Sequence, residues 1–387
     1  MSATAKLALK NFAHLKDVTL EFGDLTVLVG AHGVGKSLAL QWLKTAIDGK
    51  QITIALKDAG QNVSDPDNLI DLIFGVGMGQ AWSKATTVSF NGHALSKSSI
   101  HKRGNGREKV FFIPAHRTML ISDGWAAPFQ KLTPEFPVVA RLFSQNLFDL
   151  FSPTSAGQHL FPRDRVLKKL YRDLIDEAVF HGGTIALEED AQHTKRLKLS
   201  HGSTQLPFMT WTAGQRELTP LLLGLYHLLP PRKFLKQESI DWVIIEEPEM
   251  GLHPQAVTVV MALCLDLLWR GYRVVLSTHS PLVLTVVWML GRLRATNAKW
   301  QRVCDAFGLD NASHASLKKV AESALDSRKI LKTHLLSFDE AGQVHAKDIS
   351  TLDPGDDDDD VSGWGGLAGF SSRFGEAVRQ AAVEAER

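Results

Sequence analysis

Gly30, Gly35, Lys36 and Ser37 stand at the fixed positions of the spacing G-x-x-x-x-G-K-[ST], within the stretch GAHGVGKS. Glycine there lets backbone N–H groups turn inward around phosphate oxygens, an approach that a Cβ would obstruct. Lys36 would reach the β- and γ-phosphates of a nucleotide as a point charge, and the Ser37 hydroxyl would ligate Mg²⁺. Two carboxylates, Glu246 and Glu247, close the run DWVIIEE. Glu246 would support the Mg²⁺ shell, and Glu247 would orient or deprotonate an attacking water. His279, in the stretch STHS, could donate a hydrogen bond to a γ-phosphate. Thr212, Ala213, Gly214 and Gln215 read as a capped, small-residue helix start, which is also an anion site. Each feature has a plainer reading: a flexible turn, a surface Glu pair, an incidental loop histidine, an ordinary cap.

The flanking elements favour the chemical readings. Leu25 to Val29 (LTVLV) reads as a short buried strand and Leu38 to Leu43 as an apolar helix, so the glycine-rich loop lies between a strand and a helix N-terminus. Trp242 to Ile245 is a continuous apolar run of the kind expected in a parallel strand buried on both faces. Carboxylates straight after it sit at its C-terminal end, the edge where ligands bind in open α/β sheets. Val274 to Leu276 forms a third such strand, with His279 just beyond it. Thr212 can cap a helix that begins near Gly214, with Gln215 at the capping-box position and Leu218, Leu221, Leu222, Tyr226 and Leu229 as its apolar stripe.

The chain has 387 residues, a formal net charge of +1 and two cysteines, Cys264 and Cys304. That length suggests two or three domains, or one domain with insertions. Near-neutral charge gives no global electrostatic argument for nucleic acid or a membrane surface. Scarce cysteines suit a reducing cytosol, and the apolar stretch from Ala256 stops at Asp266, well short of a membrane span. The expected setting is cytoplasmic, with no membrane partner. The run DPGDDDDD at 353–360 reads as a solvated acidic loop.

The order GAHGVGKS, TAGQ, VIIEEPEMGLHP, STHS resembles the ABC-type ATPase heads of the SMC/RecF/OLD group, over roughly residues 5–50, 84–117 and 205–350. The opening LALKNFAHLKDVTLEFGDLTVLVG adds to the resemblance. It implies an α/β P-loop NTPase of ABC-ATPase type, a mixed sheet with an antiparallel N-terminal part and an inserted, mainly helical subdomain. It further implies Gly30, His32, Gly33, Gly35, Lys36, Ser37, Leu38 and Arg117 as nucleotide-binding. Thr212, Ala213, Gly214 and Gln215 take the place of the signature, which serves a partner subunit's site in trans. Ser37 and Glu246 stand as metal ligands, Glu247 as catalytic base, His279 as switch histidine, and Met250 to His253 where the D-loop lies. His32 replaces the usual Asn, Glu246 the commoner Asp, and Thr212 the usual Ser. Arg117, in FFIPAHR, is expected near the nucleotide or the dimer seam; the Q-loop glutamine has no evident counterpart.

The expected organisation is a first ATPase lobe at 1–117, an inserted subdomain at 118–205, a second lobe at 206–350, and an acidic loop and tail at 351–387. Within the insertion, Val166, Leu167, Leu170, Leu174 and Ile175 share one helical face of about two heptads, too few for a long coiled coil. TIALEE and KRLKLSHG read as a strand pair, and THLLSFDEAGQVHA as a hairpin. No nuclease-type acidic domain follows His279. The expected function is an ATP- and Mg²⁺-dependent ATPase that dimerises with itself around two nucleotides. It would act as a sensor or assembly subunit of a bacterial anti-phage system with a separately encoded effector, held by the insertion and the tail aromatics Trp364, Phe370 and Phe374. The alternative is a RecF-like repair ATPase that binds DNA directly through HKRGNGREK (101–109) and KRLK (195–198). The former stretch reads equally as a hairpin turning at Asn105-Gly106.

Overall fold

Runs that are apolar on both sides form the middle of a ten-stranded mixed sheet. The computed structural model describes residues 4–121, 124–154, 157–164, 166–189, 194–229 and 236–385. Its strands are β1 (Ala5–Phe12), β2 (Leu15–Phe22), β3 (Leu25–Val29), β4 (Trp82–Phe90), β5 (His93–Leu95), β6 (Val110–Ile113), β7 (His159–Phe161), β8 (Thr184–Glu189), β9 (Lys195–His201), β10 (Thr204–Pro207), β11 (Trp242–Glu246), β12 (Arg273–Ser277), β13 (Leu331–Phe338) and β14 (Val344–Asp348). The helices are α1 (Lys36–Asp58), α2 (Pro66–Phe74), α3 (Val138–Phe151), α4 (Lys169–Ile175), α5 (Ala213–Leu228), α6 (Pro254–Arg270), α7 (Pro281–Ala295), α8 (Gln301–Ala306), α9 (Asn311–Leu325), α10 (Asp359–Ser362) and α11 (Gly369–Ala385).

The large sheet has the order β5-β4-β1-β2-β14-β13-β3-β12-β11-β6. Strands β3, β12, β11 and β6 run parallel, whereas β1, β2, β4 and β5 pair antiparallel, as the resemblance implies. Register brings the carboxyl ends level: Ser277 of β12 stands opposite both Leu28 of β3 and Glu246 of β11. The side chains of these strands alternate between two cores. Val27, Val29, Val243, Ile245, Val274 and Leu276 face one, with α5 and α6; Leu28, Ile244 and Val275 face the other, with α1 and α2.

A buried ion network fastens α1 to the sheet. Lys44 lies 3.2 Å from Asp48 and 2.9 Å from Glu108, and its ammonium also donates to the Val110 carbonyl at 2.6 Å. Asp48 accepts from the Val110 and Lys109 amides, at a point where α1 departs from helical dihedrals. The helix that carries Lys36 and Ser37 is thereby held to β6.

Between β6 and α5 the chain forms α3, α4, a π-helical turn over Asp176–Phe180 and a four-stranded antiparallel sheet, β10-β9-β8-β7, larger than the expected strand pair. Leu160, Ile185, Leu187, Leu197 and Leu199 of that sheet share one core with Leu221 of α5 and Leu263 of α6. The α4 helix starts at Lys169 rather than near Val166, because Lys168 is extended and its ammonium reaches Asp266 on α6 at 2.6 Å.

Three expectations need correcting. Segment 101–109 is no hairpin; a 3₁₀ turn over Lys97–Lys102 leads through Gly104 and Gly106 into β6. The Asn-Gly hairpin turn lies instead at Asn91-Gly92, where both residues have positive φ and β4 and β5 can pair. The acidic run is tied down rather than only solvated: Lys347 of β14 binds Asp358 and Asp360 at 2.6 and 2.8 Å, and Asp358 caps α10. Trp364 is anchored, its indole N–H donating to the Leu352 carbonyl at 3.0 Å and its ring beside Trp288. Phe374 is exposed, and the Phe370 side chain lies outside the described residues.

Candidate active site

The turn after β3 is a cradle built from glycine geometry. Gly30, Gly33 and Gly35 all have positive φ. A Cβ at Gly30 would stand 2.2 Å from the Leu336 carbonyl oxygen, and one at Gly35 would collide with Leu15 and His14. The loop opens into a cavity of about 370 Å³ lined by His32 to Leu38, Gln41, Glu247 and His279, with Ala13, His14, Phe74 and Met78 on its other side. The β1–β2 turn thus forms one wall of this cavity. No local motif marks His14, because only the pairing of β1 with β2 and β4 carries it there.

Lys36 is buried at the centre. Its ammonium donates to the carbonyls of Gly30 (2.8 Å) and Ala31 (3.1 Å) and lies 2.9 Å from His279 Nε2. Burial pulls its pKa down to about 8, against the pull of Glu247, Glu249 and Glu246. The His279 ring stacks on His32 with centroids 3.9 Å apart. Burial, Lys36 and His32 together push the His279 pKa down to about 4, so the imidazole is neutral and accepts from Lys36.

The carboxylates divide by environment. Glu246 is fully buried; its Oε2 accepts from the Ala115 amide at 3.1 Å, and its Oε1 has no partner. Burial raises its pKa, while the nearby Ser37 hydroxyl and the Ala115 amide oppose the rise. An orphaned carboxylate oxygen beside the Ser37 hydroxyl is a donor set that fits Mg²⁺, which would supply the missing positive charge. Gln41 Oε1, also buried and unpaired, borders this side, where a second cavity of about 280 Å³ meets Ser37, Glu246 and His116. Glu247 is half-buried, sits in the left-handed region at φ 43°, and places Oε1 3.6 Å from His279 Nε2. A non-glycine residue held at such dihedrals costs energy that the surrounding fold must supply.

Glu249 is a residue that the sequence reading passed over. Its Oε1 accepts from the Thr278 hydroxyl (2.7 Å) and the His279 amide (2.8 Å), fixing the loop that presents His279. The third Glu of EEPE was the available signal.

Arg117 does not reach the nucleotide cavity, a correction to the expected binding role. It is 0% exposed, and its guanidinium donates to the carbonyls of Glu246 (3.0 Å) and Glu247 (3.1 Å) on one side and of Glu217 (3.1 Å) on the other.

Thr212 caps α5 in a complete capping box: Thr212 Oγ1 accepts from the Gln215 amide, and Gln215 Oε1 from the Thr212 amide. The Gln215 side chain also donates to the Val179 carbonyl, so it is committed to holding the turn. Thr212 and Ala213 are exposed, and none of the four TAGQ residues lines the phosphate cavity. The basic stretches are used within the fold only in part, and Lys102 and Arg107 are exposed. Lys195 donates to the Ser152 and Thr154 carbonyls, and Lys109 pairs with Asp241 at 3.0 Å. Among the described residues, no helix is long and apolar enough to cross a membrane.

Residues 137–285 match the protein family described as "AAA domain, putative AbiEii toxin, Type IV TA system". No curated protein matches the chain. Solved structures similar to it include an SMC head bound to the C-winged helix domain of ScpA, at 14% identity, with 90% of this chain and 97% of that chain covered and a TM-score of 0.45. Another is the SMC head domain from Thermotoga maritima, at 14% identity, 90% and 99% coverage and a TM-score of 0.37. A third, from Pyrococcus furiosus, is an SMC head with an extended coiled coil bound to the C-terminal domain of ScpA, at 13% identity, 90% and 96% coverage and a TM-score of 0.38.

Proposed function

We propose that this chain, an ABC-type ATPase head of the SMC/RecF group, binds and hydrolyses ATP between two copies of itself and uses that cycle as a switch. One observation carries the reading. Lys36, Ser37, Glu246, Glu247 and His279 converge at one sheet edge, while the capped TAGQ turn is exposed and lines no part of the same cavity.

The phosphate loop binds the β- and γ-phosphates through its amides and Lys36. Ser37 and Glu246 would hold Mg²⁺, which when bound would supply positive charge against the phosphates. Glu247 takes the proton of the attacking water, and His279 orients the γ-phosphate end. The Thr212 hydroxyl and the α5 N-terminus supply the missing donors to the partner's nucleotide. A single chain holds ATP without that second set, so hydrolysis is slow until dimers form.

The further role we assign is that of a nucleotide-gated sensor or assembly subunit in a bacterial defence complex, with the insertion at 118–205 as the surface that engages a separate effector. The toxin–antitoxin system named in the matched family's description supports this role. Of the basic residues behind direct DNA binding of the RecF kind, Lys109 and Lys195 are engaged within the fold, while Lys102 and Arg107 are exposed.

Mixing Lys36→Ala chains with Gly214→Asp chains tests the sandwich. In a mixed dimer both defects fall on one site, and the other site is intact. ATPase activity should therefore return in part. Two inactive proteins that remain inactive despite proven heterodimers would sink the reading.

A further inference from the structure

We infer that Arg117 is a positioning residue that locks the exposed Thr212–Gln215 turn to the two carboxylates of β11, so that the face a chain offers its partner follows the state of its own nucleotide site. The inference rests on the two-chain reading above and adds to it a route inside one chain between two sites that do not touch.

The route is short. Arg117 Nη1 donates to the Glu246 carbonyl at 3.0 Å and Nη2 to the Glu247 carbonyl at 3.1 Å, at the point where β11 delivers both carboxylates. Its Nε donates to the Glu217 carbonyl at 3.1 Å and lies 3.5 Å from Glu217 Oε2. Glu217 is in the first turns of α5, the helix that Thr212 caps. The same helix start meets the turn after Glu247. A Cβ added at Gly251 would come within 3.0 Å of Glu217 Cγ, and one at Gly214 within 3.3 Å of the Gly251 carbonyl oxygen. The end of β11, the Gly251 turn and the start of α5 therefore interlock, with the guanidinium at their centre.

The residue type suits the task. A planar guanidinium has five N–H groups in a fixed fork and serves carbonyls on opposite sides at once; a lysine ammonium carries the charge without the fork. Any displacement of the Glu246–Glu247 main chain as a nucleotide is bound or cleaved must either break these bonds or move α5 with it. Phosphate binding itself depends on β3 and α1, which Arg117 does not contact through any of these bonds.

The test uses the full chain in a Glu247→Gln background that holds ATP unhydrolysed. Affinity for a fluorescent ATP analogue is measured on dilute monomer, and ATP-driven dimerisation by analytical ultracentrifugation. Arg117→Lys should bind the analogue as its parent does and dimerise roughly tenfold more weakly, within the usual range of coupling between sites. Equal dimerisation by parent and variant overturns the inference and leaves the two-chain reading standing. Analogue affinity lost in proportion to dimerisation also overturns it, since Arg117 would then be a general support of the fold. A parent that fails to dimerise with ATP defeats the two-chain reading, and this inference with it. Should Arg117→Lys not fold, Glu217→Gln keeps the carbonyl and the shape while removing the charge partner. It should weaken dimerisation roughly fivefold, and unchanged dimerisation there counts against the coupling.

Discussion

The Lys36 ammonium lies 2.9 Å from Nε2 of His279, so the two residues that should act on a γ-phosphate are bound to each other. Since His279 accepts, its ring proton is assigned to Nδ1. Burial, then Lys36, then His32 hold its pKa down at about 4. Replacing Lys36 by Met should let it rise toward the ordinary 6.5. NMR titration of the His279 ring reads this directly, and an unchanged midpoint would show that Lys36 is not a cause. The linked stability has a definite sign. Between about 4 and 6.5 the folded chain binds fewer protons at His279 than the unfolded chain, so this residue's contribution falls as pH drops through that window.

ATP affinity should depend on pH through Lys36. Its pKa of about 8 leaves the ammonium intact at pH 7 and progressively lost above 8. Affinity should be flat up to that point and then decline by up to about tenfold per pH unit. Calorimetry in buffers of different ionisation enthalpy should also show proton uptake on binding near pH 8.5. Constant affinity from pH 7 to 9.5 would contradict the depressed value.

Glu249 should matter through its acceptor oxygen rather than its charge. Glu249→Gln keeps a carbonyl that can accept from Thr278 and His279, and should retain most ATPase activity. Glu249→Ala frees the loop and should lower kcat by roughly a factor of ten or more with ATP binding preserved. By comparison, Glu247→Gln removes the base itself and should cost roughly a hundredfold in hydrolysis. Equal activities of the Ala and Gln variants at Glu249 would refute the positioning role.

Lys44→Met leaves Asp48 and Glu108 without their cation in a buried setting. Breaking such a network by removing one partner costs about 3–5 kcal/mol, readable as a drop in the urea midpoint at unchanged m-value. A loss below about 1 kcal/mol, the level of an exposed pair, would mean that the network is not acting as a buried one.

Local pattern revealed those parts of the site that local sequence builds. LTVLV, WVIIE and RVVLS are fully or almost fully buried strands because their interiors are apolar apart from Thr26, whose hydroxyl accepts from the Gly23 amide, and the Thr212–Gln215 box closes within four residues. What escaped notice depends on distant partners. The bonds of Arg117 to Glu217, Glu246 and Glu247 span 100 to 130 residues, and an Arg three positions after a Pro looks the same whether it meets phosphate or carbonyls. His14 reaches the cavity only because β1 and β2 fold back over the loop. Both Asn-Gly pairs carry the same turn preference, but only Asn91-Gly92 has strands on each side long enough to pair.

The phosphate cradle is shaped by the chain's own packing, its glycines held at positive φ and its helix bolted to β6. The ordering entropy of that loop was therefore met when the chain folded, and none of it is charged to the ligand. Nucleotide arrival is an exchange of partners at one ammonium, from two carbonyls and an imidazole to phosphate oxygens. Encounter can then run near the rate set by diffusion and docking orientation, and the lifetime of the complex will be governed by departure.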